Sequence, residues 1–82
     1  MSSSLYVSNL SSSTTEGMLA MAFERFGTVL SVKLKRDPET GSARRCGFIE
    51  METTAEAQKA ADGLNGTRFD GRVVSVNRAA RS

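Results

Sequence analysis

Two stretches of this chain alternate apolar and polar residues with a period of two, and each stands beside a segment of helical spacing. Leu30, Val32 and Leu34 alternate with Ser31, Lys33 and Lys35. That pattern reads as a half-buried strand with one apolar face and one basic face. Cys46 to Met51 repeats it, with Ile49 and Met51 on one side and Cys46, Phe48 and Glu50 on the other. Between the two runs, Asp37-Pro38-Glu39-Thr40-Gly41 carries turn chemistry, and Ser42 to Arg45 completes a loop.

The remaining elements fall around this pair. Leu5-Tyr6-Val7-Ser8 alternates as a first strand after a serine-rich leader, and Asn9 to Ser13 is turn-prone. Thr14 or Thr15 suits a helix N-cap, with Glu16 placed where the helix dipole favours a negative charge. Leu19, Ala22, Phe23 and Phe26 then recur at helical spacing, and Gly27 is expected to stop the helix. Thr53 or Thr54 caps a second helix from Ala55 to about Leu64, with Ala57, Ala60, Ala61 and Leu64 as its buried stripe. Asn65-Gly66 ends it, and Phe69-Asp70-Gly71 turns with Phe69 as a plug. Val73 to Asn77 makes a last strand with Val74 and Val76 inward.

The order β-α-β-β-α-β predicts an α+β, ferredoxin-like sandwich, in which two helices cover one face of a four-stranded antiparallel sheet. The expected organisation is a leader at 1–4, one domain at 5–78 and a tail at 79–82.

Composition removes several chemistries. With 82 residues, one cysteine and no histidine, the chain has no internal disulfide, no Cys–His zinc set and no imidazole acid–base catalyst. No metal, cofactor or catalytic residue is expected, and Cys46 has no histidine to activate it. No apolar run reaches the ~20 residues of a membrane span and no charged-then-apolar leader opens the sequence, so an intracellular protein without a membrane is expected. A monomer is the expected state. The net charge of +2 decides little by itself.

The face left open by the helices is more informative. Alternation assigns it Tyr6, Ser8, Lys33, Lys35, Cys46, Phe48, Glu50 and Ser75. Two rings that the core does not need, with basic residues near them, suit stacked bases and phosphates. Lys33, Lys35, Arg36, Arg44, Arg45, Arg72, Arg78 and Arg81 lie on or near strands, whereas Glu16, Glu24, Glu56 and Asp62 lie on helices.

At these positions the sequence resembles the RNA-recognition-motif family. Leu5-Tyr6-Val7-Ser8-Asn9-Leu10 is similar to its short ribonucleoprotein motif, and Arg44-Arg45-Cys46-Gly47-Phe48-Ile49-Glu50-Met51 to the longer one. The likeness runs on through Glu24-Arg25-Phe26-Gly27, Asp37-Pro38-Glu39-Thr40-Gly41, Leu64-Asn65-Gly66 and Asp70-Gly71-Arg72, covering roughly residues 4–80.

The resemblance implies single-stranded RNA across the sheet, with Tyr6 and Phe48 each stacking a base and Arg44 pairing a phosphate. Asn77 and Arg78 lie where the family's chain exit touches RNA, and Lys33 and Lys35 offer further phosphate contacts. Single-stranded DNA should bind comparably unless 2′-hydroxyl contacts favour RNA. Two departures stand out. Cys46 replaces a third aromatic, which weakens binding, and Arg45 replaces a glycine, where it either adds a contact or blocks the approach of a base. A module of the same fold that docks a protein on its helix face or sheet is the competing reading. Met18 and Met21, off the apolar stripe, are candidates for such a face.

Overall fold

The computed structural model describes residues 3–36 and 44–79. Its elements run β1 (Ser3–Ser11), α1 (Glu16–Glu24), β2 (Val29–Arg36), β3 (Arg44–Met51), α2 (Thr54–Leu64), β4 (Arg68–Phe69), β5 (Arg72–Val73) and β6 (Ser75–Arg78). The main sheet has the order β2-β3-β1-β6 and is antiparallel at every pairing. The ferredoxin-like sandwich is thus present, with a short β4–β5 hairpin added.

Both helices start as their sequences dictate. Thr15 Oγ1 accepts from the Met18 backbone N–H, and Thr53 Oγ1 from that of Glu56, each satisfying a donor that the first turn leaves unpaired. Leu19 and Phe23 from α1 and Ala57, Ala60 and Ala61 from α2 are buried against Leu5, Val7, Leu10, Ile49, Met51, Val74 and Val76. Burying a Leu or Phe side chain contributes about 1.5–3 kcal/mol, so these few large residues carry most of the core. Phe26, Leu64 and Phe69 pack at its margin.

Gly47 shows why the helices can sit so close. A Cβ there would lie 3.0 Å from Leu19 Cδ1 and 3.5 Å from Leu10 Cδ1. The position therefore faces the helices, and its neighbours Cys46 and Phe48 must face away from them.

Several expectations are revised. Pairing begins at Ser3, opposite Met51, and Ser3 is buried, so the strand takes in the last two serines of the expected leader. It also continues past Ser8 to Ser11 through a bulge between Val7 and Leu10, where Asn9 adopts φ 68°. β3 begins at Arg44 rather than Cys46. The expected turn at 37–41 and the rest of the loop to 43 lie outside the described residues, as do residues 80–82 of the tail.

Leu30 was expected inward with Val32 and Leu34, but it is 50% exposed. A register irregularity between Val29 and Ser31 puts Val29 against the core in its place. Gly27 does not act as a left-handed helix stop. Its missing side chain makes room for Glu56, whose carboxylate accepts from the Thr28 backbone N–H at 3.2 Å.

Val73 belongs to the β4–β5 hairpin, not to the last sheet strand. The cause is local. Asp70 and Gly71 take φ 52° and 84°, and two positive values at the centre of a two-residue loop match the type I′ turn that twists with its strands.

Met21 is 72% exposed, whereas Met18 is half-buried.

Candidate nucleic-acid interface

The uncovered face is built on the two central strands. Tyr6 on β1 lies directly opposite Phe48 on β3, and their ring centroids are 5.1 Å apart with planes tilted by 58°. Such tilted pairs contribute about 0.5–1.5 kcal/mol beyond the area they bury. Each ring is only half-buried, so the pair forms a two-ring platform at the middle of the sheet.

Register fixes what surrounds it. Lys33 pairs with Phe48 and Lys35 with Cys46 on the β2 side, and both lysines are exposed. The Lys35 ammonium stands over the Phe48 ring, 5.5 Å from its centroid. On the β6 side Asn77 pairs with Tyr6 and Ser75 with Ser8, and Asn77 Nδ2 donates to Ser75 Oγ at 3.2 Å. Glu50 lies two residues beyond Phe48 on the same face, between Ser4 on β1 and Ser31 on β2. A shallow hollow of about 280 Å³ opens there, lined by Ser4, Ser31, Lys33, Lys35, Phe48 and Glu50. Ser4 and Ser31 share this face by the same alternation that placed the lysines, yet they were not among the candidate binding residues.

Three expected contacts change. Cys46 has the expected face but only 4% of its surface is accessible, and it lies outside the main core cluster. It is a covered floor between strands rather than an exposed contact.

Arg45 shares the inward face with Leu10, its cross-strand partner. Its Nη1 donates to the Thr14 carbonyl at 3.2 Å, tying β3 to the approach of α1. The side chain is thus turned to the helix side, away from the open face.

Arg78 pairs with the core residue Leu5 and turns to the helix side, where its guanidinium donates to Gln58 Oε1 at 3.4 Å and Ser3 Oγ at 3.5 Å. The side chain of Arg44 lies outside the described residues. The positive charge of the described open face thus comes from Lys33 and Lys35.

Arg72, also counted among the basic residues near the sheet, is half-buried beside the end of β1. Its Nη2 donates to Asn9 Oδ1 at 3.3 Å, and Asn9 Nδ2 donates to the Val73 carbonyl at 2.6 Å. Asp70 adds to this latch by accepting from Ser13 Oγ and from the buried Thr14 Oγ1, each at 3.0 Å. The β4–β5 hairpin is thereby fixed to the loop between β1 and α1. Asn9 can hold this place because its φ of 68° lies in the left-handed region, which Asn tolerates better than most residues.

No group of three or more potential metal ligands occurs among the described residues, and no described helix is long and apolar enough to cross a membrane.

Comparison with known proteins gives a consistent result. The family model for the RNA recognition motif matches residues 5–75. A Nostoc protein named for RNA binding, RbpE, is 45% identical over 76 residues, which cover 93% of this chain and 77% of that protein. The crystal structure of RNA binding protein PG1 superposes with a TM-score of 0.85 at 34% identity, covering 98% of this chain and 96% of that one. A structure titled as a Sxl-lethal protein/RNA complex gives a TM-score of 0.80 at 32% identity, covering 94% of this chain and 47% of that one.

Proposed function

This chain belongs to the RNA recognition motif family, and from that premise we propose that it is a single-stranded RNA-binding module whose open sheet face is the binding surface. The observation that carries the reading is the Tyr6–Phe48 ring pair, half-exposed on the central strands and flanked by Lys33 and Lys35. Every base has a π-face, and stacking one on an aromatic side chain contributes about 1–3 kcal/mol.

In this reading one base lies on Tyr6 and the next on Phe48. Their backbone runs within reach of the two lysines, which supply the attraction to phosphate. Ser8, Ser75 and Asn77 line the β6 side and offer hydroxyl and amide groups to base edges and 2′-hydroxyls. The side of a strand laid over Cys46 meets a low floor instead of a third ring. Binding therefore rests on two stacked bases and is weaker than on a three-ring sheet. Single-stranded DNA binds comparably wherever the 2′-hydroxyl makes no contact. The module acts by holding RNA, and no bond-making step is assigned to it.

The test is a titration of isotope-labelled protein with a pool of short single-stranded RNAs at low salt, following backbone amides. Shifts concentrated at Tyr6, Lys33, Phe48 and Asn77 are expected, and most of them should be lost in Phe48→Ala. Amides of the sheet face that stay unmoved at saturating RNA would overturn the reading and turn attention to a protein ligand.

A further inference from the structure

We infer that Glu50 reads base identity, and that the hollow beside Phe48 selects a nucleotide presenting two adjacent hydrogen-bond donors, guanine above all. This inference rests on the open sheet being the RNA surface.

A carboxylate is out of place on a surface that only attracts phosphates, since it opposes the polyanion and lowers affinity. The residues paired with it across the strands carry no charge to balance it. Across the strands from Glu50 stand two serines, Ser4 and Ser31, and Ser31 Oγ donates to Glu50 Oε1 only at 3.5 Å, the long limit of a hydrogen bond. Much of the carboxylate's accepting capacity is therefore still available toward the hollow.

Position makes that capacity usable. Side chains two residues apart on one strand face stand roughly 7 Å apart. Glu50 is thus within reach of the edge of a base lying on the Phe48 ring or just beyond it. Lys33 and Lys35 line the same hollow and bring donors to it.

The chemistry then ranks the four bases. An ionised carboxylate only accepts, through two oxygens. Guanine offers N1–H and the N2 amino group side by side, which match both oxygens, and its O6 suits a lysine ammonium. Cytosine and adenine each offer one amino group next to a ring acceptor. Uracil has a single N3–H between two carbonyls, both of which the carboxylate repels. The expected order is guanine first, then cytosine and adenine, with uracil last.

The test compares five-nucleotide single-stranded RNAs, UUUUU, UUGUU, UUCUU and UUAUU, by fluorescence anisotropy at fixed low salt. UUGUU should bind the wild type roughly tenfold or more tightly than UUUUU, the discrimination that one bidentate base contact supplies. Glu50→Gln, nearly isosteric, should cut that preference to within about threefold while leaving or improving the affinity for UUUUU. Glu50→Lys should strengthen all four and abolish the order.

Equal binding of the four probes by the wild type would overturn the inference, as would a guanine preference that survives in Glu50→Gln. Failure of the RNA surface itself has a different signature. No probe would bind the wild type, and Glu50→Lys would gain nothing from Phe48.

Discussion

Asp70 offers a quantitative test of how the hairpin is held. Its Oδ2 accepts from two hydroxyls at 3.0 Å, and one of them, on Thr14, belongs to a fully buried residue. Its backbone also sits at φ 52°, where a β-carbon is disfavoured by roughly 1–2 kcal/mol but Asp is better tolerated than most residues. Asp70→Ala loses the acceptor and leaves the Thr14 hydroxyl buried without it, a cost of about 1–3 kcal/mol. The backbone adds to this, so the expected total is roughly 2–4 kcal/mol.

Asp70→Gly loses the same acceptor but relieves the backbone, and should cost about 1–3 kcal/mol. Asp70→Asn keeps both an acceptor and the left-handed tolerance, and should cost less than about 1 kcal/mol. Urea unfolding followed by far-ultraviolet circular dichroism, with an unchanged slope, measures the series. In thermal scans the alanine variant should melt roughly 10–25 °C lower.

Combining Asp70→Ala with Thr14→Val should cost less than the two single changes added together, because the stranded hydroxyl is gone. An alanine variant within 0.5 kcal/mol of wild type would refute the hydrogen-bond argument, and a glycine variant as costly as alanine would refute the backbone one.

Other perturbations separate binding from folding. Phe48→Leu keeps an apolar side chain on the strand but removes the π-face, so RNA affinity should fall about 5- to 150-fold with a stability loss near 1 kcal/mol, by titration calorimetry and urea unfolding. If Lys33 and Lys35 each meet a phosphate, log K should fall with log salt at a slope near −1.4, and each alanine substitution should reduce that slope by about 0.7. Arg78→Ala, on the helix side, should leave the slope unchanged. Gly47→Ala pushes a methyl to within 3.0 Å of Leu19 Cδ1, and unfolding measurements should show a loss of about 1–3 kcal/mol.

Side-chain parity carried most of what could be read in advance. It put Ile49 and Met51 inward, Phe48, Lys33 and Lys35 outward, and Val74 and Val76 in the core, as the structure has them. Sequence alternation leaves Arg45 and Arg78 just outside the strands, so no parity applied to them. The strands in fact run out to Arg44 and to Arg78, and the period then puts Arg45 on the side of Ile49 and Arg78 on the side of Val76. Leu30 was hidden for another reason, because a bulge resets the period and alternation alone gives no sign of the break. Burial of Cys46 was equally invisible, since alternation tells the face of a residue but not how far its neighbours close over it. The Asn9–Arg72 contact joins residues 63 apart, and no local pattern announces a pairing of that kind.

The ammonium of Lys35 over the Phe48 ring changes what binding means energetically. A cation held over an exposed ring is worth about 0.5–1 kcal/mol, and a base arriving on that face takes its place. In the proposed binding mode, RNA capture at Phe48 is an exchange of one ring partner for another, in which the displaced ammonium becomes available to a phosphate of the incoming strand. Lys35→Met would vacate the ring while removing that phosphate contact, so its two effects on affinity oppose each other. High salt weakens the ring's hold on the ammonium as well as the ammonium's hold on RNA. On the proposed mode, the residue that looks like a simple contributor of charge is also the placeholder that the base on Phe48 must evict.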